Sequence, residues 1–278
     1  MPESQTDDGE AKGAAHPPSE RGSSPRTSAM VALSQQPAPK GIDLRLGDWR
    51  ETMSDVVVDT LITDPPYGER THAANTVESL NGVGMVRASG AVDPPRYRRA
   101  LVYDSFTAED VVEFVSSWKD RVGGWWCIFS CSDLAHVWRG ALEEIGLFAF
   151  APIACVASGG TVRLAGDGPA NWTVYLNVAR PRHAPYSKWG SLPGAYIMRG
   201  RDPDPMCRIG GKRIDLMRAV VRDYTRQGDL VGDPFAGHGT TLLACEALGR
   251  RAVGSEIEPE AHAIGLERIA RGNQLGLL

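Results

Sequence analysis

The sequence has little that would staple or anchor a fold. Its five cysteines, Cys127, Cys131, Cys155, Cys207 and Cys245, are odd in number and none stands in a C-x-x-C pair. That pattern argues for reduced core thiols rather than a disulfide framework, and no metal site is expected. No apolar run approaches the roughly 20 residues needed to cross a bilayer. The opening MPESQTDDGE has neither the basic start nor the apolar stretch of a secretory signal, so a cytoplasmic protein without membrane partners is expected. A large excess of one charge is missing too: a formal net charge of −4 argues against a simple polyanion-binding sponge. No fixed-period repeat is present, which removes solenoids and propellers.

What remains is enough for one large α/β domain or two small ones in 278 residues. Residues 1–40 are rich in Ser, Pro, Gly, Ala and charge without apolar periodicity, and are expected to form a disordered tail. Beyond them, strand-like and helical runs alternate. DLRLG (43–47), VVVDTLIT (56–63), GWWCIFSC (124–131), FAFAPIACV (148–156), WTVYLNVA (172–179), DLVGD (229–233) and RAVGSE (251–256) predict strands. Helices are predicted over 108–122, 133–145 with Ser132 as cap, 212–226, 240–248 and 259–270. Residues 69–107 and 181–211 read as irregular. Such alternation predicts a parallel or mixed sheet covered on both faces. Trp172 is expected in the core, while Trp189 suits either packing or stacking.

Two stretches carry chemistry. In DLVGDPFAGHGTT a β-run ends at Asp233, a turn follows, and an apolar helix begins at Thr240. Gly237 and Gly239 let backbone amides approach a ligand, and the helix start offers a positive dipole end. The spacing is neither G-x-G-x-x-G nor a P-loop. Glu256 ends the next strand about 20 residues on, where an acid can accept hydrogen bonds from ribose hydroxyls. Turn and acid together point to a nucleoside-containing ligand; the turn alone would suit an ordinary βαβ unit. The second stretch is TDPPYG (63–68). Its two prolines remove two donors and fix two φ angles, so the strand stops there. Asp64 and Tyr67 are thereby held side by side, either as plain turn punctuation or as part of a site. Between the two motifs, residues 180–226 hold eleven basic and four acidic residues, a local charge of +7. That balance suits phosphate contacts in one place, or a solvated face whose arginines pair locally.

DPFAGHGTT resembles the D-P-F-x-G-x-G-T-T motif of amino-methyltransferases that act on nucleic acid with S-adenosylmethionine. TDPPYG resembles the D-P-P-Y motif of enzymes that methylate an exocyclic amine. The catalytic motif comes first, the order of the permuted beta class of DNA amino-methyltransferases (adenine-N6 and cytosine-N4). This resemblance implies a doubly wound, mostly parallel, Rossmann-like α/β sheet, with a methyltransferase domain over 41–275. Its parts would be a catalytic half at 41–180, a recognition and loop region at 181–211 and a cofactor half at 212–275. The implied cofactor is S-adenosyl-L-methionine, with Asp233, Phe235, Gly237, Gly239 and Thr240 at its methionine part and Glu256 at its ribose. LRLGDWRETM (44–53) implies Asp48 near the adenine, and GGKRIDLMRAVVRDYTRQGDLV (210–231) resembles the family's stretch just before the glycine turn, which makes Lys212 the lysine that precedes the helix there. His238 stands where the family usually has a small residue and is expected to face solvent.

The D-P-P-Y chemistry gives each residue a role. An aromatic amine is a poor nucleophile because its lone pair is delocalised into the ring. Asp64 and the carbonyl of Pro65 can accept its two hydrogens, Pro66 keeps that corner rigid, and the Tyr67 ring can stack on an extruded base. The implied reaction is site-specific methylation of adenine N6 in DNA. Cytosine-N4 methylation, RNA guanine amino methylation and a catalytically silent DNA-binding relative are the alternatives. The implied partner is DNA, bringing the protein to the nucleoid, with Arg96, Arg98, Arg99, Arg199, Arg201 and Arg208 as backbone contacts. A homodimer and a cognate restriction enzyme, or an orphan enzyme with none, are further states the resemblance allows.

Overall fold

The computed structural model describes residues 41–69, 105–158, 172–183, 189–200, 202–204 and 211–275. The expected tail at 1–40, Cys207, and Arg96, Arg98, Arg99, Arg201 and Arg208 lie outside these residues. Among the described residues the strands are β1 (Ile42–Leu46), β2 (Thr60–Thr63), β3 (Trp126–Ser130), β4 (Leu147–Ala149), β5 (Ile153–Ser158), β6 (Thr173–Pro181), β7 (Ala195–Arg199), β8 (Leu230–Asp233) and β9 (Arg251–Glu256). Helices are α1 (Trp49–Thr52), α2 (Ala108–Trp118), α3 (Ser132–Glu144), α4 (Ile214–Tyr224), α5 (Thr240–Ala247) and α6 (Pro259–Leu275).

All the strands join one sheet in the order β1-β9-β8-β2-β3-β6-β5-β7, with β4 beside β6. Only β6 runs against the rest. The fold is therefore a mostly parallel α/β sheet, as the resemblance implies and within the parallel or mixed sheet that the alternation predicts. Two apolar cores, one per face, explain why β3 (WCIFS) is buried along its whole length. One core holds Val220, Val221 and Tyr224 of α4 and Leu242 and Leu243 of α5. The other holds Phe114 and Trp118 of α2 and Trp138 and Leu142 of α3. Trp118, Trp126 and Trp138 are fully buried, each contributing on the order of 2 kcal/mol through the area removed from water.

Several boundaries differ from expectation for local reasons. β2 starts at Thr60 rather than Val56, because Val56 closes the turn after α1 (N–H to the Met53 carbonyl, 3.1 Å) and Val58 makes only an isolated bridge to Val122. FAFAPIACV is two strands. Three residues, 150–152, oppose two on β6, and Pro152 cannot supply a ladder donor there. Helix α3 is capped by Cys131 without a side-chain bond, and Ser132 is its first residue. Helix α2 ends at Trp118, four residues early, and starts with a Thr107–Asp110 capping box. The expected irregular span 181–211 contains β7.

β8 and β2 are parallel neighbours, paired Thr60 to Val231 and Leu61 to Gly232, although they lie 171 residues apart in the chain. From β8 the chain winds outward to β9, and from β2 it winds the opposite way to β3. The crevice at the carboxyl ends of these two strands is the topological switch point, where open α/β sheets place ligands. Both motifs end there.

Candidate active site

β2 delivers TDPPYG to the carboxyl edge. Thr63, fully buried, donates its hydroxyl to Asp233 Oδ1 at 2.7 Å, tying the two motifs together. Asp64 is next, with its side chain 25% exposed. Its Oδ2 lies 2.5 Å from Lys212 Nζ, and the same ammonium donates to the Tyr67 hydroxyl at 2.6 Å. The ammonium also sits 5.0 Å from the Tyr67 ring centroid and 5.2 Å from that of Phe129. Asp64 Oδ1 is buried and has no hydrogen-bond partner among the described residues. Beyond the prolines, the Tyr67 carbonyl accepts from Phe106 N–H at 3.2 Å. Gly68 packs closely on α3: a Cβ there would stand 3.4 Å from Leu134 Cγ.

β8 delivers the glycine turn. Asp233 is fully buried, and that burial pushes its carboxyl from 3.8 up to about 6, against hydrogen bonds from Thr241, Thr63 and the Phe235 N–H (3.2 Å). Gly237 has φ +53°, and a Cβ there would meet nothing within 4 Å, so the turn is open on that side. Gly239, φ +73°, caps α5. Its N–H donates to the Ala236 carbonyl at 2.8 Å, and a Cβ would face Ile269 of α6 instead. Its left-handed conformation is what makes glycine suitable there. The turn lies directly on β9: Ala236 N–H donates to the Ser255 carbonyl, and a Cβ on Gly254 would come within 2.9 Å of Ala236 Cβ. Phe235 packs edge-on to Trp49 and Phe106 at centroid distances of 6.4 and 5.6 Å. Thr240 opens α5 and is buried.

The two further acids sit at the ends of the next strands. Glu256 ends β9, its Oε1 accepting from Glu258 N–H at 2.8 Å and its carbonyl from Gly47 N–H at 2.9 Å. Asp48 follows β1 and caps α1, accepting from Arg50 N–H at 2.8 Å. Asp64, Asp233, Glu256 and Asp48 thus lie at the carboxyl ends of four strands adjacent in the sheet, β2, β8, β9 and β1. Lys212 precedes α4 and reaches across to Asp64 and Tyr67.

Among the described residues of the 180–226 stretch, several arginines pair locally, the second of the two arrangements its charge balance allows. Arg180 is buried over Phe148 and Phe150, Arg213 pairs with Asp215 at 2.8 Å, and Arg222 with Asp223 at 2.9 Å. Arg199 is exposed at the end of β7. Trp172, expected in the core, is 42% exposed: it lies just before β6, and the strand's buried face begins only at Leu176. Trp189 packs at 5.5 Å on Trp125, under Arg226, beside a cavity of about 500 Å³ near the amino ends of β3 and β5. That cavity is away from the motifs. Cys127, Cys131, Cys155 and Cys245 are free and buried, as expected.

Sequence reasoning missed the supports. Arg268 of α6, almost fully buried, donates to the His238 carbonyl, to Thr240 Oγ1 at 3.2 Å and to Asp204. It pins the glycine turn from behind, yet in sequence it is one more arginine on an amphipathic helix. Gly265 lets the same helix approach, since a Cβ there would stand 2.7 Å from Leu44 Cδ2. His238, expected to face solvent, is half-buried, with its carbonyl drawn toward Arg268.

Residues 212–267 match the family model described as DNA methylase, N6_N4_Mtase. Among curated proteins, the type II methyltransferase M.HindIII of Haemophilus influenzae is 33% identical over 82 residues, 29% of this chain and 26% of that protein. The type II methyltransferase M2.DpnII of Streptococcus pneumoniae is 36% identical over 59 residues, 21% of this chain and 22% of that protein. The matched stretch spans about a quarter of these relatives' length. Among solved structures, M1.HpyAVI in complex with SAM superposes with a TM-score of 0.60 at 20% identity, covering 82% of this chain and 98% of that one. The cytosine-N4-specific PvuII DNA methyltransferase gives 0.54 at 15% identity, covering 85% and 93%. These likenesses establish the fold.

Proposed function

We propose that this chain, a relative of the N6/N4 DNA amino-methyltransferases, transfers a methyl group from S-adenosylmethionine to an exocyclic amine of DNA, adenine N6 before cytosine N4. The observation that carries the reading is the meeting of Asp64 and the Asp233–Gly239 turn at one switch point, with a buried acceptor, Asp64 Oδ1, that has no donor among the described residues. A buried acceptor without a partner costs about 1–3 kcal/mol, which a substrate N–H would recover. The residues also suit the cofactor. The open side of Gly237 leaves room for a ligand against the backbone, Glu256 and Asp48 offer acceptors along the same edge, and sealed Asp233 holds the turn in place from below.

When bound, S-adenosylmethionine supplies a methyl group whose C–S bonding pair returns to sulfur as the amine lone pair forms the N–C bond, one amine proton leaving to solvent. Asp64 Oδ1 accepts one amine hydrogen and the Pro65 carbonyl the other, biasing the nitrogen toward a tetrahedral shape with its lone pair free. Pro66 holds that carbonyl in place, and Tyr67 gives the base a ring to rest on. An aspartate at position 64 favours adenine, because the family's cytosine enzymes more often carry serine there. Residues 41–180 are read as the catalytic half, 181–211 as the target-facing loops, with exposed Arg199 toward phosphates, and 212–275 as the cofactor half.

The test is incubation with methyl-labelled S-adenosylmethionine and mixed DNA or RNA, followed by digestion to nucleosides. Label in N6-methyl-2′-deoxyadenosine from DNA is expected. Label in N4-methyl-2′-deoxycytidine would move the target to cytosine, and label in RNA nucleosides alone would overturn the reading. Asp64→Ala should abolish transfer with cofactor affinity retained.

A further inference from the structure

The ammonium of Lys212 holds both side chains of the catalytic corner at once, 2.5 Å from Asp64 Oδ2 and 2.6 Å from the Tyr67 hydroxyl. We propose that Lys212 is the positioning residue of the methyl-accepting corner: it clamps Asp64 by one oxygen so that the other, Oδ1, is the carboxylate oxygen offered to the target amine. The inference rests on the function proposed above and adds a part to it.

Three observations support the clamp. First, the two oxygens of Asp64 are unequal. Oδ2 is charge-paired, while Oδ1 is buried without a partner among the described residues. A carboxylate pinned through one oxygen cannot rotate its empty oxygen away, so orientation is fixed before substrate arrives. Second, Lys212 is itself held. Its side chain is only 9% exposed, and its ammonium lies over the Tyr67 and Phe129 rings. A lysine so enclosed has little rotamer freedom left to lose. Third, the clamp joins separate parts of the chain: Lys212 leads into α4, whereas Asp64 and Tyr67 follow β2. The acceptor geometry and the tilt of the stacking ring are therefore set by how α4 packs, beyond what the TDPPYG turn sets by itself.

The ammonium also fixes what Asp64 does. With Oδ2 held by Lys212, Asp64 meets the amine through Oδ1, as a hydrogen-bond acceptor. This role differs from cofactor binding, and the two predict opposite splits of the kinetic constants.

The test uses the full chain and an unmodified plasmid that the wild type labels. Removing one preorganised hydrogen-bonding group costs about 10²–10³ in kcat, so Lys212→Met should lose at least about 100-fold in kcat. Its KM for DNA, and its Kd for S-adenosylmethionine by calorimetry, should stay within about three-fold of wild type. Ethylamine added to Lys212→Ala should restore part of kcat. A Kd raised more than about ten-fold with kcat little changed would make Lys212 a cofactor group and overturn the inference. So would unchanged kcat or no rescue. If the lysine variants do not fold, Tyr67→Phe removes one arm and keeps the ring; kcat should fall at unchanged KM for DNA, and an unaltered kcat would overturn the clamp. A wild type that labels no DNA sinks the function and the clamp together, whereas a labelling wild type with indifferent variants sinks the clamp alone.

Discussion

Replacing Gly237 and Gly239 by alanine, one at a time, separates the two jobs of the glycine turn. Both residues have positive φ, +53° and +73°. An L-residue in the left-handed region costs about 1–2 kcal/mol. For a domain of this size each kcal/mol lowers Tm by about 2–4 °C, so each variant should lose about 2–8 °C as the free protein. Protein contacts barely distinguish the two. A Cβ at position 239 would rest 3.5 Å from Ile269 Cδ1, an ordinary contact, and one at position 237 would touch nothing within 4 Å. What differs is where the methyl group goes. At 239 it points at α6, and at 237 it enters the open side of the turn, where the proposed cofactor would lie on the backbone. S-adenosylmethionine at 100 times its Kd stabilises a chain that binds it by about 2.7 kcal/mol. That corresponds to about 5–11 °C in Tm. Thermal unfolding with and without S-adenosylmethionine reads both quantities. Wild type and Gly239→Ala should show the ligand-dependent rise, and Gly237→Ala should show little or none. A full rise in Gly237→Ala would refute the placement of the cofactor on the open side of the turn.

Two further outcomes follow from packing and burial. Asp233 is raised by burial from 3.8 to about 6, so between those values the folded chain keeps a proton that the unfolded chain has lost. Stability should therefore fall as pH rises from about 4 to about 6, by about 3 kcal/mol, and stay level above. Asp233→Asn should remove that part of the pH dependence in urea unfolding, and an unchanged slope would show that burial of this carboxyl is not its source. Gly254→Ala would place a Cβ 2.9 Å from both Ala236 Cβ and Leu242 Cδ1 and 3.1 Å from the Asp233 carbonyl. Overpacking of that kind costs about 1–3 kcal/mol, visible as a lower urea midpoint at unchanged slope, and a wild-type midpoint would contradict the packing.

How much of this was legible in sequence depended on whether the signal was local. RAVGSE, buried through its middle and bounded by glycine and acid, predicted β9 to the residue. FAFAPIACV read as one strand because apolar content does not reveal a bulge; only the pairing with β6 does. TDPPYG and DPFAGHGTT were legible because prolines and glycines constrain their own backbone. That the two stretches meet could be expected only from their family resemblance, since adjacency of β2 and β8 is a long-range pairing that no window of residues encodes. The arginines stayed ambiguous in sequence for the opposite reason. Charge counted along 180–226 ignores partners, and Arg180, Arg213 and Arg222 are taken up by aromatic rings and carboxylates. Lys212 stands out in sequence only through the resemblance, and its contact with Asp64 and Tyr67 depends on where α4 docks.

Asp64 and Asp233 end neighbouring strands, and their surroundings assign them different work. Asp233 is sealed, receives the Thr63 hydroxyl and the Phe235 N–H, and sits near 6 chiefly through burial, with the Asp64 charge a smaller contribution in the same direction. Asp64 is partly exposed and faces the Lys212 ammonium. Two carboxylates in such different surroundings, one sealed and one beside an ammonium, can divide the work between them. The coupling has a sign that can be checked. Asp64→Asn removes a negative charge next to Asp233 and leaves the Lys212 cation without its carboxylate, and both changes favour ionised Asp233. Its midpoint, followed by carboxyl-carbon NMR, should therefore fall from the wild-type value of about 6. The shift should be modest, because burial remains. A rise would mean that the two acids do not share one electrostatic site, and the division of roles across β2 and β8 would fail with it.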